Sequence, residues 1–376
     1  MKQYLELLQN IVENGHAHED RTGTGRQSIF GTQMRFNMKD GFPLVTSRKI
    51  FTKAFVHEML WFIRGSIDNK ELNDVGVNIW NLWTVNEDNV NSFMDKYKDQ
   101  LEEFIPTDVL ETFKNNLLSK HVGTIGRLYG YNWRNAPSEM VHKLWPLVDF
   151  NDIPSDKIKQ YKEEYPKIVA SLQEEDPNAS IFAFEDYCRM RYRSTIDQLN
   201  DLVINLKQRP YSARHVVSAW IPSLVPFETI SPHDNVILER GALAPCHIMF
   251  QCNVTPPAKG SDKKRLSLLM YQRSVDTPVG LPYNVAQYAL LLHMLAQVTD
   301  MEPYEFIWTG GDTHIYLDQM DLVLEQLSRE PLPLPKLWLN PEVKDLFAFT
   351  FDDIKIEEYN VHPDEAIKPL KYPVSM

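Results

Sequence analysis

Between residues 3 and 13, apolar side chains fall at Tyr4, Leu7, Leu8, Ile11 and Val12. That i, i+3, i+4, i+7, i+8 spacing draws one stripe down a helix, so the fold is expected to open on a helix with a single buried face. Asp20-Arg21-Thr22-Gly23-Thr24-Gly25-Arg26 follows as a glycine-punctuated loop, and Ser28 to Phe36 then alternates like a strand. Residues 53–64 (KAFVHEMLWFIR) predict a helix whose surface is apolar apart from His57 and Glu58. A carboxylate in such company needs a partner or a task. From about 86 to 122, and again from about 136 to 192, the chain turns Lys/Glu-rich and helical in pattern, and both segments read as insertions. Gly123 to Arg134 between them, rich in glycine and aromatics, reads as core chain resuming.

After residue 195 the β signal strengthens. His215 to Trp220, His247 to Val254 and Arg265 to Ser274 have strand length and β-branched or aromatic content, and the last two flank a Pro/Gly/Lys-rich connection, as a hairpin does. Residues 285–298 (VAQYALLLHMLAQV) are apolar nearly all round, which predicts a helix buried in the middle of the domain. Strands and helices mix without a regular βαβ rhythm, and no internal repeat or low-complexity segment interrupts them.

A chain of 376 residues is long enough for several domains or for one large α/β domain carrying insertions. Its 43% hydrophobic and 24% charged content excludes a disordered tail, a collagen or a coiled coil. Lys plus Arg number 39 against 51 for Asp plus Glu, a formal charge of −12. Such a surface repels nucleic acid and anionic membrane, so neither is an expected partner and any anion must be held in a local pocket. Cys188, Cys246 and Cys252 cannot build a disulfide framework and have no zinc spacing, so no metal and a reducing cytoplasm are expected. The first residues lack an apolar signal region and no apolar run approaches about 18 residues, so a soluble, unprocessed chain is expected.

Cys246 sits in Leu243-Ala244-Pro245-Cys246-His247, directly before a strand. It reads either as a small buried hydrophobe or as a nucleophile. His247 cannot be its base, because adjacent strand residues point to opposite faces; nearby cations would have to activate the thiol. Gln272-Arg273-Ser274-Val275-Asp276 runs into Pro278 to Asn284 and gathers donors and acceptors suited to a phosphorylated ligand, although a solvated turn would look the same. In Gly310 to Tyr316, His314 and Tyr316 face the same way if extended, and could grip one ligand group or be ordinary core residues.

Taken together these segments resemble the thymidylate synthase family. The matching stretches are Asp20 to Gly25, Phe42-Pro43-Leu44-Val45-Thr46, Glu58 to Phe62, Ile79-Trp80, Tyr129-Gly130, Val217-Ser218-Ala219-Trp220, Ala244-Pro245-Cys246-His247, Gln272-Arg273-Ser274, Gly280 to Asn284 and Gly311 to Tyr316, in family order along the chain. The resemblance implies a single α/β (α+β) catalytic domain over residues 1–376, with a large mixed β-sheet, packed helices and the two helical insertions. It implies a back-to-back homodimer and a one-carbon transfer from 5,10-methylenetetrahydrofolate to C5 of dUMP. Cys246 would add to C6 of the base. Arg21, Arg273, Ser274 and an Arg214 donated across the interface would clamp the phosphate, with Gln272 beside them. Arg273 would also hold Cys246 as thiolate. Asn284 would read the base edge, His314 and Tyr316 the 3′-hydroxyl, and Asp276 would contact folate and orient the complex. Glu58 and Tyr129 would assist proton transfers. Trp80 and Gly280 would line the folate ring site, with Arg48 and Lys49 for its glutamyl tail.

Several positions depart from the synthase pattern. Ala213 stands where an arginine is expected, Asn81 follows Ile79-Trp80, Ile221 follows Trp220, Thr124 and Arg127 fall in a glycine-rich segment, Gln287 takes the place of a serine, and the chain ends Pro373-Val374-Ser375-Met376. Most lie on the folate and water side of the site. They point to a dUMP hydroxymethylase like those of phages that modify pyrimidines, in which water rather than hydride completes the reaction. The alternatives are thymidylate synthase itself and an idle paralog that binds nucleotide or RNA.

Overall fold

A computed structural model of the chain describes residues 1–19, 23–137, 150–175, 181, 183–193, 195–366 and 368–373. Helix α1 (Lys2–Asn14) buries Tyr4, Leu7, Leu8 and Ile11, the stripe read from the sequence. It leads through β1 (His16–His18) to the long β2 (Arg26–Asn37), then to α2 (Thr52–Arg64) and the short α3 (Lys70–Asn73). The first insertion is three helices, α4 (Glu87–Lys96), α5 (Lys98–Phe104) and α6 (Leu110–His121). The core resumes in α7 (Gly130–Arg134), and the strands β3 (Ala136–Pro137) and β4 (Thr195–Ile196) pair at the neck of the second insertion. The described part of that insertion is a helical pair, α8 (Ser155–Glu175) and α9 (Phe184–Arg193). There follow α10 (Gln198–Gln208), β5 (Val216–Ser218), α11 (Pro232–Ile237), β6 (His247–Thr255), β7 (Arg265–Asp276), α12 (Leu281–Val298), β8 (Glu302–Tyr316), α13 (Met320–Leu327) and a terminal hairpin, β9 (Lys336–Leu339) with β10 (Ile354–Glu357).

Six strands form one mixed sheet in the order β1-β2-β8-β7-β6-β5, with β7 and β8 parallel and the other neighbours antiparallel. The parallel pair needs a crossover, and α12 supplies it. Because α12 is enclosed on every side, its apolar run shows no polar stripe. One face of the sheet (Met34, Phe36, Phe250, Cys252, Leu268, Met270, Phe306, Trp308) is buried in the core. On the other, Met249, Leu269, Tyr271 and Ile307 remain partly accessible.

Two elements differ from the sequence reading. The strand expected over His215 to Trp220 shrinks to three residues, because the N–H groups of Ala219 and Trp220 both turn to the Ile248 carbonyl at a register irregularity in β6. The central helix begins at Leu281 rather than 285. Pro282 lies in its first turn, where a missing N–H costs no helical bond, so the segment read as a turn is helical and brings Asn284 onto α12.

The second insertion is fastened to the core by a buried ion cluster. Arg134 has no exposed surface and donates through Nε to both Asp197 oxygens at 2.8 and 2.9 Å, and through Nη1 to Asp156 of α8 at 2.9 Å and the Ile63 carbonyl at 2.7 Å. Its guanidinium lies 3.9 Å from the Phe347 ring. Removing one partner of such a set strands the others in a low dielectric. Arg134→Ala is expected to cost about 3–5 kcal/mol of stability in urea unfolding. Lys70→Ala, which deletes an exposed pair with Asp74, should leave the midpoint in place.

Candidate active site

The parallel β7 and β8 end at the same edge of the sheet, where α12 begins and β6 starts. Carboxyl ends of parallel strands are where open α/β sheets present ligand-binding groups. Cys246 lies directly before β6. Its backbone N–H donates to the Tyr129 hydroxyl at 3.1 Å, and its carbonyl accepts from the Arg273 N–H at 2.8 Å. Tyr129 itself has φ +40 and ψ −106, a conformation rarely tolerated by a bulky residue. The next residue must be glycine, since a Cβ on Gly130 would lie 2.1 Å from the Phe62 carbonyl oxygen of α2. That close approach presses the Tyr129 turn against α2 and fixes the phenol between Phe62, Trp80 and His247, with ring centroids 5.1, 5.9 and 4.9 Å away.

The Arg273 side chain reaches back toward the nucleophile loop, with Nη2 3.4 Å from the Ala244 carbonyl and Nε 3.4 Å from that of Pro245. Its cation and the Tyr129 hydroxyl favour a thiolate at Cys246, but burial outweighs both and pushes the thiol above its ordinary 9.0. Burial thus opposes the thiolate that Arg273 favours. His247 is enclosed between Tyr129 and Tyr288, and burial lowers its imidazole to about 4, so it stays neutral at Cys246's flank.

Glu58 has the partner that the sequence demanded. Trp80 Nε1 donates to Oε1 at 2.8 Å, and Gln287 Nε2 donates to Oε2. These bonds favour the carboxylate, yet burial dominates and raises Glu58 to about 7, the poise of a general acid and base near neutral pH. Asn284 lies one turn from Gln287 on α12. Its Oδ1 accepts from Gln272 Nε2 at 2.9 Å, its Nδ2 lies 3.4 Å from Gln287 Oε1, and Gln272 Oε1 accepts from the buried Trp308 indole at 3.0 Å.

Asp276 ends β7. Its carboxylate accepts from the Val279 N–H at 3.2 Å and from Gln319 at 3.1 Å, and burial raises its pKa. His314 and Tyr316 do face the same way from β8, ring to ring at 5.1 Å, and Asp312, which is paired to Arg26 at 2.6 Å, lies 3.3 Å from His314 Nδ1. Ser274 pairs across the ladder with Asp312.

A cavity of about 530 Å³ opens beside this group, lined by Phe51, Lys53, Ile79, Val279 and Tyr283, with Glu58, Gly280 and Asn284 also on its wall. Its apolar walls with a few convergent polar groups suit a flat heterocycle. Lys49 is not on that wall, but its Nζ lies 5.7 Å from the ring of Phe51, which is. Two residues expected at the folate, Trp80 and Arg48, are not on this cavity's wall. Trp80 is buried behind Ile79 and serves Glu58, and Arg48 is 6% exposed, donating to the Pro278 carbonyl and lying over Tyr372. Arg48 thus braces the turn before Gly280 through Nη2. Arg214 is exposed just ahead of β5, whose Val216 pairs with Gln251, well along β6 from Cys246. Arg21 lies outside the described residues.

Sequence reasoning missed Gln319 and Trp308, and met Gln287 only as a departure from a pattern. Glutamine and tryptophan carry no motif of their own, and only their contacts reveal them. Among the described residues no group of His, Cys, Asp and Glu is placed to hold a metal, and no helix is long and apolar enough to cross a membrane.

Residues 2–371 match the sequence model of the thymidylate synthase family, and the chain belongs to that family. Its members are folate-dependent enzymes that transfer a one-carbon unit to C5 of dUMP, and they are typically dimeric.

Cys188 and Cys252 are fully buried whereas Cys246 is partly accessible. Iodoacetamide should therefore label Cys246 first, read by peptide mass spectrometry, with a pH–rate inflection above 9.0. Arg273→Leu moves the inflection higher still; an inflection below that of a free thiol contradicts control by burial.

Proposed function

We propose that this protein converts dUMP to 5-hydroxymethyl-dUMP, with 5,10-methylenetetrahydrofolate as the one-carbon donor and second substrate. The observation that carries the reading is an open cavity with Asn284 and a carboxylate poised near neutrality, Glu58, on its wall, next to the sheet edge where Cys246, Tyr129 and Arg273 meet.

The sulfur of Cys246, once deprotonated, adds to C6 of the uracil ring, and the resulting C5 enolate forms a bond to the donor's methylene carbon. Arg21, Arg273 and Ser274, with Arg214 from a second copy, hold the phosphate. The partly accessible apolar face of the sheet (Met249, Leu269, Tyr271, Ile307) supports a back-to-back homodimer that brings that second copy close. His314 and Tyr316 hold the 3′-hydroxyl, and Asn284 reads the base edge. The cavity beside Glu58 receives the pterin ring against Gly280, Asp276 anchors it, and Lys49 and Lys53 are the cations nearest its acidic tail. The folate supplies carbon at the methylene oxidation level.

Tyr129 is the hydroxyl nearest the C5 proton, whose removal expels the folate nitrogen and leaves an exocyclic methylene on C5. Water then attacks that carbon while Glu58 takes its proton. The electron pair passes to the C4 oxygen and returns to C5=C6, expelling the Cys246 sulfur. Overall dUMP, methylenetetrahydrofolate and water give hydroxymethyl-dUMP and tetrahydrofolate, and no dihydrofolate forms. The hydration step rests on the departures at Asn81, Ile221, Thr124, Arg127 and Gln287, and on the poise of Glu58. The three free cysteines fit a reducing, cytoplasmic setting.

The product decides the reading. Incubated with dUMP and methylenetetrahydrofolate, the enzyme should yield a nucleotide heavier by CH2O with no rise in dihydrofolate absorbance. A product heavier by CH2 with stoichiometric dihydrofolate identifies a thymidylate synthase instead. Cys246→Ala should abolish tritium release from 5-labelled dUMP, and Glu58→Gln should slow it about 10²–10⁴-fold. No release from the unaltered protein identifies an idle paralog.

A further inference from the structure

Between the base-reading amide and the poised carboxylate runs a file of side-chain hydrogen bonds whose direction is fixed, with His247 also bonded to Asn284 from the side. Trp308 Nε1 can only donate, so Gln272 Oε1 must accept, which leaves Gln272 Nε2 to donate to Asn284 Oδ1. Asn284 Nδ2 then points to Gln287 Oε1, and Gln287 Nε2 donates to Glu58 Oε2. Trp80, also donor-only, closes the file at Oε1. Every link runs one way from an indole to a carboxylate, and both carboxylate oxygens accept.

We propose that Gln287 is a positioning residue that couples the protonation of Glu58 to the orientation of the Asn284 amide, and so to the choice of pyrimidine. This rests on the reading above that Asn284 meets the base. Uracil offers an O4 acceptor beside an N3–H donor, whereas cytosine offers an N4 amino donor beside an N3 acceptor. A freely turning amide serves either, but one locked in a directional file presents its donor and acceptor in one order. Protonating Glu58 on Oε2 would set a hydroxyl against the Gln287 amino group. Turning Gln287 over so that its Oε1 accepts from that hydroxyl brings its amino group against that of Asn284 and unlocks the reader. The ionised acid and the fixed reader therefore stabilise one another.

The titratable neighbours leave this exchange to Glu58. Tyr129 from the turn before α7 and Tyr288 from α12 both feel its charge, and burial raises both phenols so that they stay neutral at ordinary pH. His247 from β6 is likewise neutral, and Lys53 is the cation on the shared cavity wall.

The test separates coupling from catalysis. Infrared difference spectra of the substrate-free protein follow the protonated-acid band of Glu58, assigned by its loss in Glu58→Gln. Its midpoint, near 7 in the unaltered protein, should rise by about one unit in Gln287→Met, which keeps the volume and removes the donor. The ratio of dCMP to dUMP Kd, measured by calorimetry, should fall about tenfold in Gln287→Met and in Trp308→Phe, which unlocks the file from its far end. Far-ultraviolet circular dichroism checks that each variant is folded, and Trp308→Phe keeps the question answerable if Gln287→Met is not. An unmoved Glu58 midpoint in folded Gln287→Met, or an unmoved Kd ratio in folded Trp308→Phe, overturns the proposal. A failure of the unaltered protein to release tritium from labelled dUMP counts against the proposed reaction and leaves the infrared result to decide the coupling.

Discussion

The site depends on one topological constraint, the parallel pairing of β7 with β8. Parallel strands cannot be joined by a tight turn, so the chain must climb back through α12, which is buried on all sides by the sheet and its flanking elements. That crossover sets three chain termini side by side. The end of β7 delivers Arg273, Ser274 and Asp276, the first turns of α12 deliver Asn284 and Gln287, and the end of β8 delivers His314 and Tyr316. The hairpin partner β6 adds Cys246 at the same edge. A slip of one residue in the β7–β8 ladder would turn the Gln272 amide from Asn284 to the opposite face.

Around that edge the electrostatics are set by desolvation more than by pairing. Burial pushes the Cys246 thiol up although an arginine stands beside it, and raises Glu58 to about 7 although two donors serve it. Glu58 is thereby held close to a change of state, which burial against apolar surface brings about and an exposed position could not. The formal charge of −12 is a property of the outer surface and does not govern this pocket, whose mobile charges are few and local.

The charges of the two insertions reach the core. Asp156 of the second insertion meets Arg134 at the end of α7, while Lys120 and His121 of the first share Glu239 with Arg127. Arg127 and Arg134 bracket the strained Tyr129 and Gly130. Both insertions are thus tied to the short core segment that holds the phenol against Cys246.

Much of this was legible in one dimension. Hydrophobic period identified α1, α2, β6, β7 and the buried α12, because 3.6-residue and two-residue repeats survive whatever the tertiary surroundings. Glu58 stood out as an acid on an apolar helix, a break in the local pattern. Other features were decided by contacts between residues far apart in the chain. Burial overrode the cation at Cys246; a carbonyl at a bulge cut β5 short; Arg48 was drawn inward to the Pro278 carbonyl; and Trp308, Gln272 and Gln287 became a directional file only when β8, β7 and α12 met. Sequence determines which side chains are available and which face of each element they share, since that follows from backbone geometry alone. The values of their proton affinities and the direction of their hydrogen bonds belong to the assembled fold, because both depend on what excludes water and what stands opposite.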